Sequence, residues 1–275
     1  RPGDFAGKVV TLPPIDPMQL APPTANLPRE TLPLPDRWRL MQALDFKFPW
    51  YDPYHQNLLK GDIPVTQLGH DVFLNVLAIA DTLFEARSVP TPVSLTTSFP
   101  DANNIYGGNE QQVFATTLLA GFSLIKGNTT FKPPDYEFRA LAAINYTRAN
   151  VDEAGALLVD PLQGRTREDH FAGLQELFVD KHLRNVSDRY DFDSVRVGIQ
   201  PFTSDFRGFL YIDQPLGIRV FGNRDNNRYQ YNLAWFRRLE KNTNSGLNDM
   251  FKDLREDDIF TANLFVQDFP VRGFT

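Results

Sequence analysis

Cysteine is absent from the 275 residues of the chain. Its absence suits an oxidising compartment such as the bacterial periplasm or outer membrane, where a stray thiol would be oxidised. No apolar run reaches the roughly 18 residues that a membrane-spanning helix needs. This excludes a helical membrane protein but not a membrane β-barrel, whose strands alternate. Excess positive charge is also absent: the net charge is -6, so nucleic acid is not expected as a partner.

The chain also lacks the motifs of common catalytic and cofactor sites. It contains no Gly-x-Ser-x-Gly, no P-loop and no dinucleotide fingerprint. None of its four histidines has the spacing of a metal-ligand pair. We therefore predict a protein that is not an enzyme and that has no metal and no cofactor.

Proline is concentrated at the start of the chain, with nine among the first 36 residues. Because proline fixes φ and removes a backbone donor, residues 1–36 are predicted to form an extended linker or arm, and a disordered tail is equally compatible. Residues 37–69 are rich in aromatic and turn-forming residues, with a turn predicted at 60–62. They are interpreted as a segment that plugs, caps or leads into the domain that follows.

Residues 70–275 contain a series of segments in which apolar and polar residues alternate, the pattern of half-buried β-strands. The alternation is clearest in residues 190–240, where arginines occupy the polar positions. It is least clean in His170–Leu183, which also fits a helix. Eight strands are predicted: Val72–Arg87, Val113–Lys126, Tyr136–Ala149, His170–Leu183, Ser194–Gln200, Leu216–Phe221, Tyr229–Glu240 and Ile259–Phe269.

The connections between these strands alternate in length. Those after the odd-numbered strands are long, and those after the even-numbered strands are short. Outer-membrane barrels have short periplasmic turns and long outer loops, and an open sheet edge is not tolerated in lipid. We therefore predict an all-β, antiparallel transmembrane β-barrel over residues 70–275. It has about eight strands and forms part of a larger barrel, since the sequence stops just after the eighth strand.

A resemblance supports this interpretation. The segment VRVGIQPFTSDFRGFLYIDQPLGIRVFG is similar to a porin-type strand–loop–strand pattern, in which VRxGxQ ends one strand and xGxRxxG the next. The segments RWRLMQ, FPWYDPYHQNLLKGDIPV and FRRLEKNTNSGLN resemble large, uncharacterised Gram-negative outer-membrane proteins, described as porin-like or TonB-dependent-receptor-like barrels. Alginate-export porins are more distantly similar. The resemblance covers most of residues 37–270 and implies a barrel in the bacterial outer membrane.

The candidate binding residues lie on the polar faces of the predicted strands. Arginines that line a barrel lumen favour anions, so the chain is interpreted as a porin-like channel or transporter for small, anionic solutes or oligosaccharides. The same arginines could instead pair with lumenal acids and stiffen the wall, and both interpretations stay open. The oligomeric state is not predicted. The candidates are Arg139, Arg196, Arg219, Arg238, Glu176 and Asp180.

A soluble, secreted β-rich module that binds carbohydrate or mediates adhesion is the alternative. The two interpretations differ in what the apolar faces of the strands contact. In a barrel, residues such as Ile144, Val197, Leu233 and Trp235 face outer-membrane lipid and are exposed in the isolated protein. In a soluble module, the same side chains are buried against a second layer.

Overall fold

The structure is a computed structural model. It describes residues 41, 44–52, 54–89, 109–127, 133–153, 155–189, 191–205, 207–271 and 273. All of them belong to Pro35–Thr275, the second of two compact units into which the chain divides. The predicted arm at 1–36 lies outside the described residues, as does most of the long connection predicted at 88–110.

The described residues form an all-β structure with antiparallel pairing, as the alternation predicted. One sheet has nine strands in the order β1-β2-β3-β4-β5-β6-β9-β10-β13, and two further sheets, β7-β8 and β11-β12, have two short strands each. Two single 3-10 turns occur at Thr66–Leu68 and Pro161–Gln163. The strands are β1 Lys60–Pro64, β2 Val72–Ser88, β3 Glu110–Lys126, β4 Tyr136–Val151, β5 Thr166–Asn185, β6 Phe192–Ile199, β7 Phe202–Thr203, β8 Ile212–Asp213, β9 Leu216–Arg224, β10 Tyr229–Arg237, β11 Glu240–Lys241, β12 Asn248–Asp249 and β13 Asp258–Val266.

All eight predicted strands are present, as β2 to β6, β9, β10 and β13. The strand ends that the short connections join lie at one end of the large sheet, and the strand ends that the longer connections join lie at the other. The predicted turn at 60–62 is instead part of β1, which pairs with the first residues of β2. Strand β10 ends three residues earlier than predicted, which matters for Arg238.

The large sheet is open. Strands β1 and β2 form one edge and β13 the other, and no strand of the described part of the chain pairs with the outer side of β13. The closed barrel that we predicted is therefore not shown. No helix within the described ranges is long and apolar enough to cross a membrane.

A β-bulge explains why the alternation is unclear in β5. Leu141 of β4 pairs with Glu176, whereas the next residue, Ala142, pairs with Leu174. Gln175 is thus an extra residue, and the side-chain parity of β5 reverses across it. The segment is a strand throughout, so the helical alternative for His170–Leu183 is wrong.

Two neighbouring glycines let the strands approach closely at the centre of the sheet. Gly198 and Gly217 are paired with each other, and Phe178 and Phe236 flank them on the adjoining strands. Gly198 has φ of 129°, and a Cβ there would lie 2.1 Å from the carbonyl oxygen of Leu177. Glycines covered by cross-strand aromatic rings are a known means of curving a sheet while keeping its register.

The carboxylate of Asp191 joins the two short turns at 186–191 and 225–228. It accepts hydrogen bonds from the Ser187 hydroxyl (2.7 Å) and from the backbone N–H groups of Asn226 and Asn227 (both 3.3 Å). Both asparagines have positive φ, near 55° and 68°, a conformation that asparagine tolerates. Burial alone would raise the pKa of Asp191, but these hydrogen bonds together hold it below the usual carboxyl value.

The hydrogen bonds of Asp191 are expected to make the turn at 225–228 sensitive to acid. The pKa of Asp191 is lower in the folded state than in the unfolded state. The carboxylate therefore stabilises the turn fully above the ordinary pKa of about 3.9, and this stabilisation is lost as the pH falls through the folded-state pKa. Asp191→Asn should remove this pH dependence, measured as hydrogen-exchange protection of the Asn226 and Asn227 amides. Asp225→Asn, an exposed change in the same turn, should leave the dependence intact. Equal behaviour of the two variants would contradict this role for Asp191.

Candidate functional site

Neighbouring residues of a strand point to opposite sides of the large sheet. One side is mainly apolar and the other carries charged residues such as Arg139 and Arg196, although Ile79 and Leu83 of β2 are also exposed there. The cross-strand register shows which residues share a side. Each of the eight long strands contributes exposed aliphatic residues to one side, which we call the apolar face. Its representatives are Val76, Leu118, Ile144, Val179, Val197, Ile218, Leu233 and Leu264.

The opposite side, the polar face, is covered in part by two of the longer connections. The ring of Phe202, in β7, lies 4.8 Å from that of Phe236 in β10, and both side chains are buried. The side-chain amide of Asn263 in β13 donates a hydrogen bond to the carbonyl oxygen of Ser204. The β7-β8 connection therefore folds over the polar face at β10 and β13.

The second covering connection contains β11 and β12 and is held by Asn248, which is fully buried. The Nδ2 group of Asn248 donates to the carbonyl oxygens of Leu174 (3.1 Å) and Gln214 (3.3 Å). The backbone of Asn248 passes close over Gly173, where a Cβ would lie 2.3 Å from its carbonyl oxygen. One amide thus ties this connection both to the bulged strand β5 and to the β7-β8 connection.

A row of four charged residues crosses the polar face of β4, β5, β6 and β9. Glu137 is paired with Asp180, Asp180 with Arg196, and Arg196 with Arg219. The row, which we call the charged row, therefore runs acid, acid, arginine, arginine. Neighbouring strands lie about 4.8 Å apart, so like charges are adjacent at both ends and opposite charges meet only in the centre.

The central pair of the charged row is a direct ion pair. Arg196 donates through Nε and Nη2 to Oδ2 of Asp180, at 2.9 and 2.8 Å, and both side chains are largely shielded from solvent. The guanidinium of Arg196 also lies 4.3 Å from the centre of the Phe178 ring. A second pair, Arg139 with Glu176 at 2.7 Å, connects β4 and β5 beside the row. The charges of Arg196 and Arg139 are therefore neutralised by neighbouring carboxylates.

Arg219 differs from the other arginines of the polar face. Its Nε donates to the side-chain oxygen of Asn232 at 2.6 Å, and its guanidinium lies 4.5 Å from the Phe221 ring and 5.6 Å from that of Phe202. No carboxylate within the described ranges forms an ion pair with it. Its nearest charged neighbour in the register is another cation, Arg196.

The structure does not bring Arg238 to this group. Because β10 ends at Arg237, Arg238 lies in the following connection, with its guanidinium 3.7 Å from Asp213 and 3.5 Å from Asp257. Lys241 contacts the same Asp213 carboxylate at 2.6 Å. The predicted set is therefore divided: Arg139, Arg196, Arg219, Glu176 and Asp180 gather on the polar face, and Arg238 belongs to the covering connections.

Sequence reasoning missed the residues that shape this site. Asn248 looked like part of a polar loop, and no local signal distinguishes it from the other asparagines nearby. Asn232 lies within the predicted strand Tyr229–Glu240, but its contact with Arg219 depends on the register between β9 and β10. No group of three or more His, Asp or Glu side chains in the described part of the chain could hold a metal ion.

Comparisons with known proteins identify no relative: no protein-family model, curated protein sequence or solved structure matches this chain. The function therefore has to be inferred from the two faces of the sheet alone.

Proposed function

We propose that the chain forms the wall of an outer-membrane β-barrel, a porin-like channel for small polar solutes. The observation that carries the proposal is the apolar face. Ile144, Val197, Leu233 and Leu264 are each exposed by half or more of their surface, at 56%, 50%, 53% and 67%. Soluble monomers rarely expose a continuous apolar surface of more than a few hundred Å², whereas lipid is the natural solvent for one.

The margins of the apolar face support lipid as its solvent. Phe114 and Tyr146 lie together toward the long connections, with their rings 6.2 Å apart. Toward the short turns, Tyr136 accepts a hydrogen bond from Lys126, and the ammonium of Lys181 lies 4.8 Å from its ring. Aromatic residues at both edges of an aliphatic band, with lysines reaching outward, are typical of proteins at membrane interfaces.

The polarity of the sheet is inverted relative to a soluble protein. The side chains of Asp180 and Glu176 are buried and paired with arginines, while Val197 and Leu233 on the other side are open. A soluble module would need a second layer over the apolar face, and no described element lies there. A barrel needs none, because its charged residues line the lumen and its aliphatic residues contact lipid.

The register of the strands also suits a barrel. Directly paired residues can be followed from strand to strand across the sheet. The line that starts at Val76, close to the N-terminal end of β2, ends at Asp258, the first residue of β13. The displacement arises mainly at β5, which continues past Lys181, the partner of Tyr136, to Asn185, whereas β2 to β4 start level with one another, as do β9, β10 and β13. Such a stagger accompanies the tilt of about 35–45° that strands adopt in a closed barrel. Closure itself is part of the proposal: in lipid, the free edges of β2 and β13 must find strand partners.

The covering connections give the channel its narrow part. Both the β7-β8 and the β11-β12 connections start at the end of the sheet with the long loops and fold inward over the polar face. A loop fixed inside a lumen limits the size of the solutes that pass. The proposed substrates are therefore small polar molecules that travel past the charged row.

Two measurements test the proposal on the intact chain. Folded barrels resist unfolding by detergent at room temperature, so an unheated sample should migrate differently from a boiled one on a detergent gel. After reconstitution into planar bilayers, the chain should produce discrete conductance steps. A chain that remains monodisperse without detergent, migrates identically after boiling and gives no conductance would overturn the proposal.

Releasing the inward connection should widen the channel. Asn248→Ala removes both hydrogen bonds that tie this connection to Leu174 and Gln214, at a cost of about 1–3 kcal/mol in stability because buried carbonyls lose their donor. We expect a larger single-channel conductance than that of the unchanged chain. Asn244→Ala, at an exposed position of the same connection, should leave conductance unchanged. An Asn248→Ala channel of unaltered conductance would contradict the constricting role.

A further inference from the structure

The charged row contains a cation, Arg219, with which no carboxylate of the described residues forms an ion pair. Asp180 neutralises Arg196, and Glu176 neutralises Arg139. Arg219 adjoins Arg196 directly, and like charges opposite each other on neighbouring strands repel. A half-buried guanidinium that has a cation as its neighbour and an amide as its hydrogen-bond acceptor is incompletely compensated. An anion bound from the lumen would supply the missing charge.

The surroundings of Arg219 orient its guanidinium for such an anion. Its Nε–H is directed at Asn232 Oδ1, and Phe221 covers one side of the guanidinium at 4.5 Å. The ring of Phe202 lies 5.6 Å away. These contacts fix the plane of the group, and no described residue accepts a hydrogen bond from either of its Nη groups. A planar guanidinium with two parallel N–H donors matches the two oxygens of a carboxylate or phosphate group.

We propose that Arg219, positioned by Asn232 and Phe221, is an oxyanion-binding site that recognises the carboxylate or phosphate group of a solute. The proposal rests on the channel function for its biological meaning, since it names the class of solute that the lumen receives. It differs from a general arginine ladder, because Arg139 and Arg196 are already neutralised and contribute little to anion binding. Both oxyanions share the recognition chemistry, and separate titrations distinguish them.

Binding is tested by calorimetric titration of the detergent-solubilised intact chain with sodium acetate and, separately, with inorganic phosphate, at low ionic strength. Arg219→Gln should weaken binding of the preferred oxyanion by at least about tenfold, the loss expected when a charge-assisted hydrogen bond is removed. Arg228→Gln, the same charge change in an exposed turn, is the matched control and should bind like the unchanged chain.

Asn232→Asp tests the same site without removing the arginine. It places a carboxylate oxygen where Asn232 Oδ1 now accepts the Nε–H of Arg219, so the arginine gains an internal partner and an added anion is repelled. This variant should lose binding as Arg219→Gln does, and an unchanged β-sheet signal in circular dichroism should show that both variants remain folded. Equal binding by all variants, or retention of binding in Asn232→Asp, would overturn the proposal, as would the absence of binding of either oxyanion to the unchanged chain.

The outcomes separate this inference from the channel function. Conductance that persists while neither acetate nor phosphate binds leaves the channel intact and removes the oxyanion site. Binding that depends on Arg219 in a chain that forms no channel keeps the site and removes the proposed function. When both hold, Arg219→Gln should also reduce the permeability of acetate or phosphate relative to sodium, and Arg228→Gln should not.

Discussion

Val197→Lys is expected to destabilise the chain by about 2–4 kcal/mol in a lipid bilayer, the cost of a lysine on the lipid-facing side of a barrel strand. Val197 lies on the apolar face near the end of β6, between Val179 of β5 and Ile218 of β9, and half of its surface is open. A lysine there has neither an acidic partner on that face nor water. The free energy of unfolding is measured by urea titration of the chain in lipid vesicles.

The matched control for this substitution is Val186→Lys. Val186 is also partly exposed, at 41%, but lies in the short turn after β5, where a lysine reaches water. It should change stability by less than about 0.5 kcal/mol, as most surface substitutions do. If the apolar face met water instead of lipid, both valines would be ordinary surface positions. Two variants of equal stability would therefore contradict lipid exposure.

Gly198→Ala is expected to cost about 2–5 kcal/mol in stability, from backbone strain at positive φ together with overpacking. A Cβ at this position would lie 2.1 Å from the carbonyl oxygen of Leu177 and 2.7 Å from Cα of Phe178. Both contacts are with backbone atoms, so no side-chain rotation relieves them, and β5 and β6 would have to separate. Loss of the gel shift and a lower urea midpoint are the measurable consequences.

Gly246→Ala separates the two causes of that loss. Gly246 also has positive φ, 71°, but a Cβ added there would meet no atom within 4 Å. It should therefore show only the cost of the left-handed conformation, about 1–2 kcal/mol. If Gly198→Ala were no more destabilising than Gly246→Ala, the close approach of β5 and β6 would not limit the side chain at position 198. The reason given for a glycine there would then be wrong.

The strands were predictable because alternation with period two is a local property of the sequence. The predicted strand Tyr136–Ala149 shows it plainly, and the structure places Phe138 and Ile144 on one face and Arg139 on the other, as expected. The bulge at Gln175 was not predictable, because it exists only as a mismatch between β5 and β4. Local alternation broke down there, and the same segment consequently resembled a helix.

The sequence predicted most of the residues of the candidate site, but not which of them contact one another. Alternation alone placed Arg139, Arg196 and Arg219 on polar sides of their strands. Which of them has an acid opposite depends on the register between strands far apart in sequence, and only the structure shows that Asp180 faces Arg196 while Arg219 faces no acid. Arg238 was predicted within a strand, but β10 ends at Arg237, and no periodicity marks the point where the chain turns into the next connection.

In the proposed channel, the apolar face meets lipid while the polar face meets water. Because the chain has no cysteine, single cysteines at Ala80 and Asp81 can each carry a spin label. These adjacent residues lie in the middle of β2 on opposite faces, and both are exposed, so labelling disturbs little packing. In reconstituted vesicles, the label at Ala80 should collide with oxygen dissolved in lipid and escape a water-soluble nickel complex. The label at Asp81 should show the reverse, and equal access of the nickel complex to both positions would contradict the account.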